Sequence, residues 1–164
     1  MDIEILDVES YALNEREIKA IAEMETHPDV RKWELDDEHE DKSVDWYFEQ
    51  FTEFFKSTPT DPDQYCLVLK VNGVIGGFLG VHRMVDTDPD SGEIGVVVHP
   101  DFQGHGLGTR LVAAGVELAE KKGFKIARME TSTGNERLIK IAKKLGFSEF
   151  QMSEKSVHFL KRFS

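Results

Sequence analysis

One cysteine, five prolines and no apolar run near membrane length stand out by their scarcity in this chain of 164 residues. The single thiol, Cys66, cannot close an internal disulfide, and its neighbours Tyr65, Leu67 and Val68 place it in a strand as a buried structural group. No segment approaches the roughly 20 apolar residues that span a bilayer. Met1-Asp2-Ile3-Glu4 also lacks a basic leader region, so the expectation is a cytoplasmic protein without a membrane partner. Positive charge is in short supply: 20 Lys and Arg against 31 Asp and Glu leave a formal charge of -11. Such a field repels phosphate backbones and argues against nucleic acid as a partner. No repeat and no Pro- or Ser-rich linker divides the chain, and its length suffices for one core, so residues 1–164 read as a single domain.

The acid is concentrated between Asp29 and Asp45. There Asp29, Glu34, Asp36, Asp37, Glu38, Glu40, Asp41 and Asp45 are set against Arg31, Lys32 and Lys42. Most such runs are solvated faces. The DDEHED stretch around His39 has neither zinc nor EF-hand spacing, so no metal is expected.

What is present in concentrated form is EIGVVVHPDFQGHGLGTRL, from Glu93 to Leu111. Val96, Val97 and Val98 are β-branched and belong in a strand, and Pro100 ends it. Gly104, Gly106 and Gly108 then strip side chains from a loop that opens a helix, leaving backbone N–H groups aimed at an anion. The two common nucleotide loops are missing. A P-loop needs Gly-Lys before Ser or Thr, whereas Leu107, Gly108 and Thr109 stand here, and GxGxxG requires glycine spacings that this loop does not have. Leu107, Leu111, Ala114 and Leu118 continue at helical spacing to a Gly123 cap. Phe124 to Thr131 alternates as a strand, and after Asn135, a candidate N-cap, a second amphipathic helix carries Leu138, Ile141, Ala142 and Leu145.

Upstream, Ile3, Ile5 and Leu6 begin a short strand. Asn14 can cap a helix with Ile18, Ile21, Ala22 and Met24 inward, which His27 and Pro28 break. A second helix from Ser43 to Lys56 carries Tyr47, Phe48, Phe51, Phe54 and Phe55, a stripe suited to a core or, for some rings, to a substrate cleft. Gln64 to Val71, Asn72-Gly73 and Val74 to Met84 read as a hairpin with a type I′ turn. Asp86 to Gly92 reads as a loop leading to a strand that starts at Glu93.

The QGHGLG motif between strand and helix, with Asn135 and the helix end Lys144, Leu145, Gly146, Phe147, resembles the GNAT superfamily of N-acetyltransferases, and the order of elements matches over the whole chain. The resemblance implies an α/β (α+β) fold with a mixed, largely antiparallel central sheet flanked by about four helices. It implies acetyl-CoA as acyl donor, no metal, and an acceptor amine as partner, and leaves a homodimer open. It further implies that Gln103, Gly104, His105, Gly106, Leu107, Gly108 and Thr109 cradle the pyrophosphate. Val96 to Val98 would lie along the cofactor, with the backbone N–H of Val97 or Val98 polarising the thioester. Asn135 would touch pantetheine or phosphate.

Acyl transfer needs a neutral amine. At a reference lysine pKa of about 10.4 only about one in a few thousand is neutral at pH 7, so a base is required. The resemblance places Glu93 in that role, and an exposed strand end paired with a basic neighbour is the alternative. His99 and His105 have suitable chemistry, but one precedes Pro100 and the other sits inside the phosphate loop. In the family the leaving thiolate is commonly protonated by a tyrosine where this chain has Ala142. That departure keeps a non-catalytic acyl-CoA binding or sensing module open beside the enzyme.

Overall fold

Residues 1–35 and 42–164 are described by the computed structural model. Seven strands form among the described residues: β1 (Ile3–Asp7), β2 (Gln64–Val71), β3 (Val74–Met84), β4 (Asp88–Val98), β5 (Ile126–Ser132), β6 (Ser148–Met152) and β7 (Ser156–Arg162). They join in one sheet of order β1-β2-β3-β4-β5-β7-β6, antiparallel except where β4 meets β5. The helices are α1 (Glu15–Thr26), α2 (Pro28–Arg31), α3 (Val44–Ser57), α4 (Leu107–Lys121) and α5 (Glu136–Lys144). Alternation sorts the sheet into two faces. Leu67, Leu69, Leu79, Val81 and Ile94 pack with Leu111 and Val112 of α4 on one face. Cys66, Val68 and Ile75 pack with Ile21 of α1 and the rings Phe51, Phe54 and Phe55 of α3 on the other.

Local chemistry explains most of these boundaries. The β2–β3 turn has Asn72 at φ 50° and Gly73 at φ 82°, as a type I′ turn requires. Asn14 caps α1 through a reciprocal box, accepting from the Glu17 amide at 2.8 Å while the Glu17 carboxylate accepts from the Asn14 amide at 3.1 Å. Helix α4 lies close on the sheet because Gly115 carries no Cβ, which would come within 2.7 Å of Leu79.

His27 and Pro28 end α1 as read from the sequence, and His27 Nδ1 then accepts from the Asp29 amide at 3.1 Å to cap the four-residue α2, which gives five α-helices among the described residues. One reading of the sequence needs correction: Asp86 to Gly92 is not all loop. Strand β4 already begins at Asp88, because Asp88 accepts from Ser91 Oγ and Arg128 while the ladder to β3 skips from Met84–Asp88 to Arg83–Gly92. These partners lie across the sheet, where a local pattern gives no signal. The aromatic stripe of α3 is only partly core, since Tyr47 alone among its rings is fully buried. Cys66 is wholly buried, and burial pushes its thiol well above the usual range. Among the described residues no helix is long and apolar enough to cross a membrane.

One buried polar knot ties α1 to the sheet. Lys70 Nζ lies 2.9 Å from Glu17 Oε2, and Tyr11 Oη donates to the same oxygen at 2.9 Å. Burial raises the Glu17 pKa, but bonds from the Asn14 amide, Lys70 and Tyr11 outweigh it, so the carboxyl titrates below its ordinary value. A depressed carboxylate contributes stability that is fully present above its unfolded pKa and is lost as pH falls through the folded one. Glu17→Ala is therefore expected to lower unfolding free energy by about 2–4 kcal/mol at pH 7. The difference from the parent should shrink below about pH 4. Urea denaturation at the two pH values measures it.

Candidate active site

The site begins where two neighbouring strands stop pairing. Parallel strands β4 and β5 are bonded only from Ser91–Ile126 to Glu93–Arg128, after which β4 runs on to Val98 and β5 to Ser132 without a ladder between them. The gap widens into a cleft of about 1280 Å³. Amides alternate along a strand, and this decides which ones face the gap. His99 donates to the Gly76 carbonyl beside β3, and in register Val97 pairs onto Phe78. The N–H groups of Val96 and Val98 therefore point away from β3, and the Val98 carbonyl is met from the open side by Gln103 Nε2 at 2.9 Å. Of the two amides considered from sequence, Val98 faces the gap, and Val97 is turned to the ladder.

Beyond β4 the chain makes one 3₁₀ turn (Pro100–Phe102), whose cap is His99 Nδ1 accepting from the Asp101 amide at 3.1 Å. Gly104 and Gly106 follow at φ 86° and 75°, conformations that residues with a Cβ rarely adopt, and a Cβ at either would meet nothing within 4 Å. Gly106 is the N-cap of α4 and has no side chain to take the first amides. Those of Leu107, Gly108 and Thr109 have no partner within the helix. The result is an open, side-chain-free cradle at a helix N-terminus.

The far wall comes from the β5–α5 junction. Asn135 Oδ1 caps α5 by accepting from the Leu138 amide at 3.3 Å, and its Nδ2 donates to Thr131 Oγ1 at 3.1 Å. Arg137 reaches across to donate to Gln103 Oε1, which joins α5 to the cradle. Arg137 was not among the site residues read from the sequence. Its position two residues after the cap and opposite a glycine loop was the available signal. Ala142 is completely buried in the core and is not part of the cleft wall.

Glu93 lies within β4 rather than at its start, between His82 of β3 and Arg128 of β5. It shares the sheet face of Phe78, on the α1–α3 side, and lines the cleft with His82. Arg128 is committed to Asp88 Oδ2 at 3.0 Å and Ser91 Oγ at 3.1 Å. Among the described residues Glu93 makes no hydrogen bond or ion pair, so the reading of a strand-end carboxylate held by a basic neighbour loses its support. Glu93, Val96 to Val98, Gln103, Gly104, Gly106, Gly108, Thr109 and Asn135 all border this one cleft. His105 is exposed beside it, and the Leu107 side chain points into the core, so neither side chain contributes to its wall. Opposite Glu93 the wall holds Glu25, Val30, Trp33 and Phe54; Phe54 belongs to the stripe read as suited to a core or, for some rings, a cleft, and the other three were not singled out beforehand. The acidic run reaches this wall through Asp29 and Glu34, whereas Asp36, Asp37, Glu38, His39, Glu40 and Asp41 lie outside the described residues.

A strand leading into a glycine cradle beside a splayed strand pair agrees with the family model that matches residues 19–147, described as acetyltransferase (GNAT) family. The chain belongs to the GNAT acetyltransferase family. An uncharacterized N-acetyltransferase of Methanocaldococcus jannaschii is 29% identical over 121 residues, covering 71% of this chain and 50% of that protein. The mycothiol acetyltransferase of Paenarthrobacter aurescens is 29% identical over 124 residues, 74% of this chain and 34% of that one. The chain thus spans half or less of these curated relatives. Among solved structures, a putative acetyltransferase of Salmonella typhimurium with its cofactor acetyl-CoA superposes with a TM-score of 0.77 at 19% identity, covering 99% and 94% of the two chains. PaiA N-acetyltransferase of Thermoplasma acidophilum in complex with coenzyme A gives 0.78 at 15% identity, covering 99% and 100%. At these identities the likeness is one of fold, and it extends over 99% of this chain.

The family model describes an acetyltransferase, and the Salmonella typhimurium neighbour holds acetyl-CoA as its cofactor. The cradle suits such a group chemically, because unpartnered amides at the positive end of a helix dipole, with no Cβ in the way, match a pyrophosphate. Arg137 adds a cation at its rim.

Proposed function

We propose that the protein transfers the acetyl group of acetyl-CoA directly to a cationic primary amine, with Glu93 as general base. The observation that carries this reading is the Glu93 carboxylate, without a partner among the described residues, in the same cleft as the glycine cradle. The donor supplies an activated acetyl thioester. The amides of Leu107, Gly108 and Thr109 would hold its diphosphate, with Arg137 beside them. The Val98 N–H, aimed into the gap, is positioned to donate to the acetyl oxygen as negative charge gathers there. Glu93 takes a proton from the incoming ammonium, directly or through water. The free nitrogen then bonds to the acetyl carbon as the carbon–sulfur bond breaks, the sulfur departs as thiolate, and the acylated nitrogen gives its second proton to solvent to leave the neutral amide. A buried alanine at position 142 offers no proton to that thiolate, so solvent is its source in this scheme, and thiolates leave without one.

Preference for cations rests on the carboxylates Glu25, Asp29, Glu34 and Glu93 around the cleft and on the acidic run that continues from them. Exposed charges are screened beyond a Debye length of about 8 Å at physiological ionic strength. Free-thiol release from acetyl-CoA across a panel of amines is the test. Cationic amines should outperform neutral or acidic ones of similar size, and kcat/KM should fall as salt rises. Neutralising Asp36, Asp37 and Glu38 together should raise KM more than it lowers kcat. A best acceptor that is acidic, or no thiol release with any amine, overturns the reading.

A further inference from the structure

The last turn of α1 sets a second carboxylate in the cleft that the chemistry above does not use. Glu25 makes no hydrogen bond or ion pair among the described residues, and it is half-buried where it lines the cleft. Burial, reinforced by the like charge of Glu34 and only partly offset by Arg31, pushes its pKa up to about 7. A half-buried carboxylate without a partner, beside a like charge, is costly to keep ionised, and a cation supplied from outside relieves that cost. Glu25 stands on the helical wall and Glu93 on the sheet wall of one cleft. The walls around them include Val30, Phe54, Phe78 and Val97, which are apolar. Two carboxylates in a partly greasy channel form the complement of two ammonium groups joined by methylenes.

We propose that Glu25 is a specificity-determining residue that holds a second ammonium group of the acceptor, so that the substrate is a linear diamine or polyamine. The inference rests on the proposed acetyl transfer for the fate of the first amine: that nitrogen loses its proton at Glu93 and gains the acetyl group, while the second remains protonated against Glu25 and takes no part in bond making. Phe54 and Val30 would cover the methylenes between them. The distant ammonium contributes binding before and during transfer alike, so its loss belongs in KM and not in kcat.

The experiment compares 1,4-diaminobutane with the monoamine pentylamine, on the parent chain and on Glu25→Gln, by thiol release and by calorimetric titration of each amine. The parent should prefer the diamine. Glu25→Gln should raise KM for the diamine at least tenfold with kcat within about twofold, should raise KM for pentylamine by a much smaller factor, and should leave acetyl-CoA affinity unchanged. Glu25→Asp, which keeps the charge on a shorter arm, should retain part of the diamine preference, and it serves as the reporter if the glutamine variant does not fold. Equal KM values for the two amines in the parent, or an unaltered diamine KM in Glu25→Gln, overturn the assignment while leaving acetyl transfer intact. If no amine releases thiol, the proposed reaction fails and calorimetry decides the Glu25 site alone. Tighter binding of the diamine than of pentylamine that disappears in Glu25→Gln supports it, and equal binding by parent and variant overturns it.

Discussion

Glu93→Gln is expected to lower turnover about 10²-fold at neutral pH, a loss near 2.7 kcal/mol of transition-state stabilisation, while acetyl-CoA affinity is retained. Glutamine keeps the shape of the side chain and its place between His82 and Arg128, but it cannot accept a proton. Because Glu93 has no hydrogen-bond or ion-pair partner among the described residues, the substitution leaves no buried group orphaned, and stability should be close to that of the parent. The pH profile separates roles. Neutral amine accumulates as pH rises towards its pKa, about 10.4 for a lysine-like group, so the need for a base declines and the defect should narrow. A constant defect across pH would assign Glu93 to positioning, and undiminished turnover would remove it from the reaction. Steady-state kinetics from pH 6.5 to about 9.5, alongside calorimetry with acetyl-CoA, distinguishes these outcomes.

Gly106→Val should cut acetyl-CoA affinity at least tenfold without unfolding the domain. The residue sits at φ 75°, where a β-branched side chain is strained by roughly 1–3 kcal/mol, and nothing lies within 4 Å of its Cβ to cause a core clash. Strain is relieved by rotating the backbone, and rotation re-aims the amides that follow. Because a tenfold change corresponds to about 1.4 kcal/mol, even partial misalignment of the cradle is measurable. Gly73→Val is the control. Its φ of 82° imposes comparable strain in the β2–β3 turn, away from the cleft, so it should lower stability and leave affinity unchanged. If both variants bind acetyl-CoA like the parent, the cradle assignment falls.

The sequence by itself determined whatever is coded by neighbours in the chain. Asn72-Gly73 specifies a turn because two adjacent residues must reach positive φ, and it joins β2 to β3 at the expected residues. Asn14 and Glu17 specify a helix start because their reciprocal bonds span three residues, and Gly104 and Gly106 mark the cradle because they adopt φ angles closed to side chains. Family order and the helix at Leu107 were legible for the same reason. Tertiary structure decided what depends on segments distant in sequence. The parting of β4 from β5 after Glu93–Arg128 opens the cleft, and no periodicity within either strand encodes where a ladder ends. Whether the amide of Val97 or of Val98 faces that gap follows from register against β3, in which a shift of one residue exchanges the two. Glu25 reads locally as one more charged residue on an amphipathic helix. Only the folded chain sets it half-buried on the cleft wall near the like charge of Glu34, where its pKa rises to about 7. The reason is common to all three. Backbone conformation is governed by atoms a few bonds away, whereas a cleft and the energy of a charge within it are set by surfaces that meet only after the chain has folded.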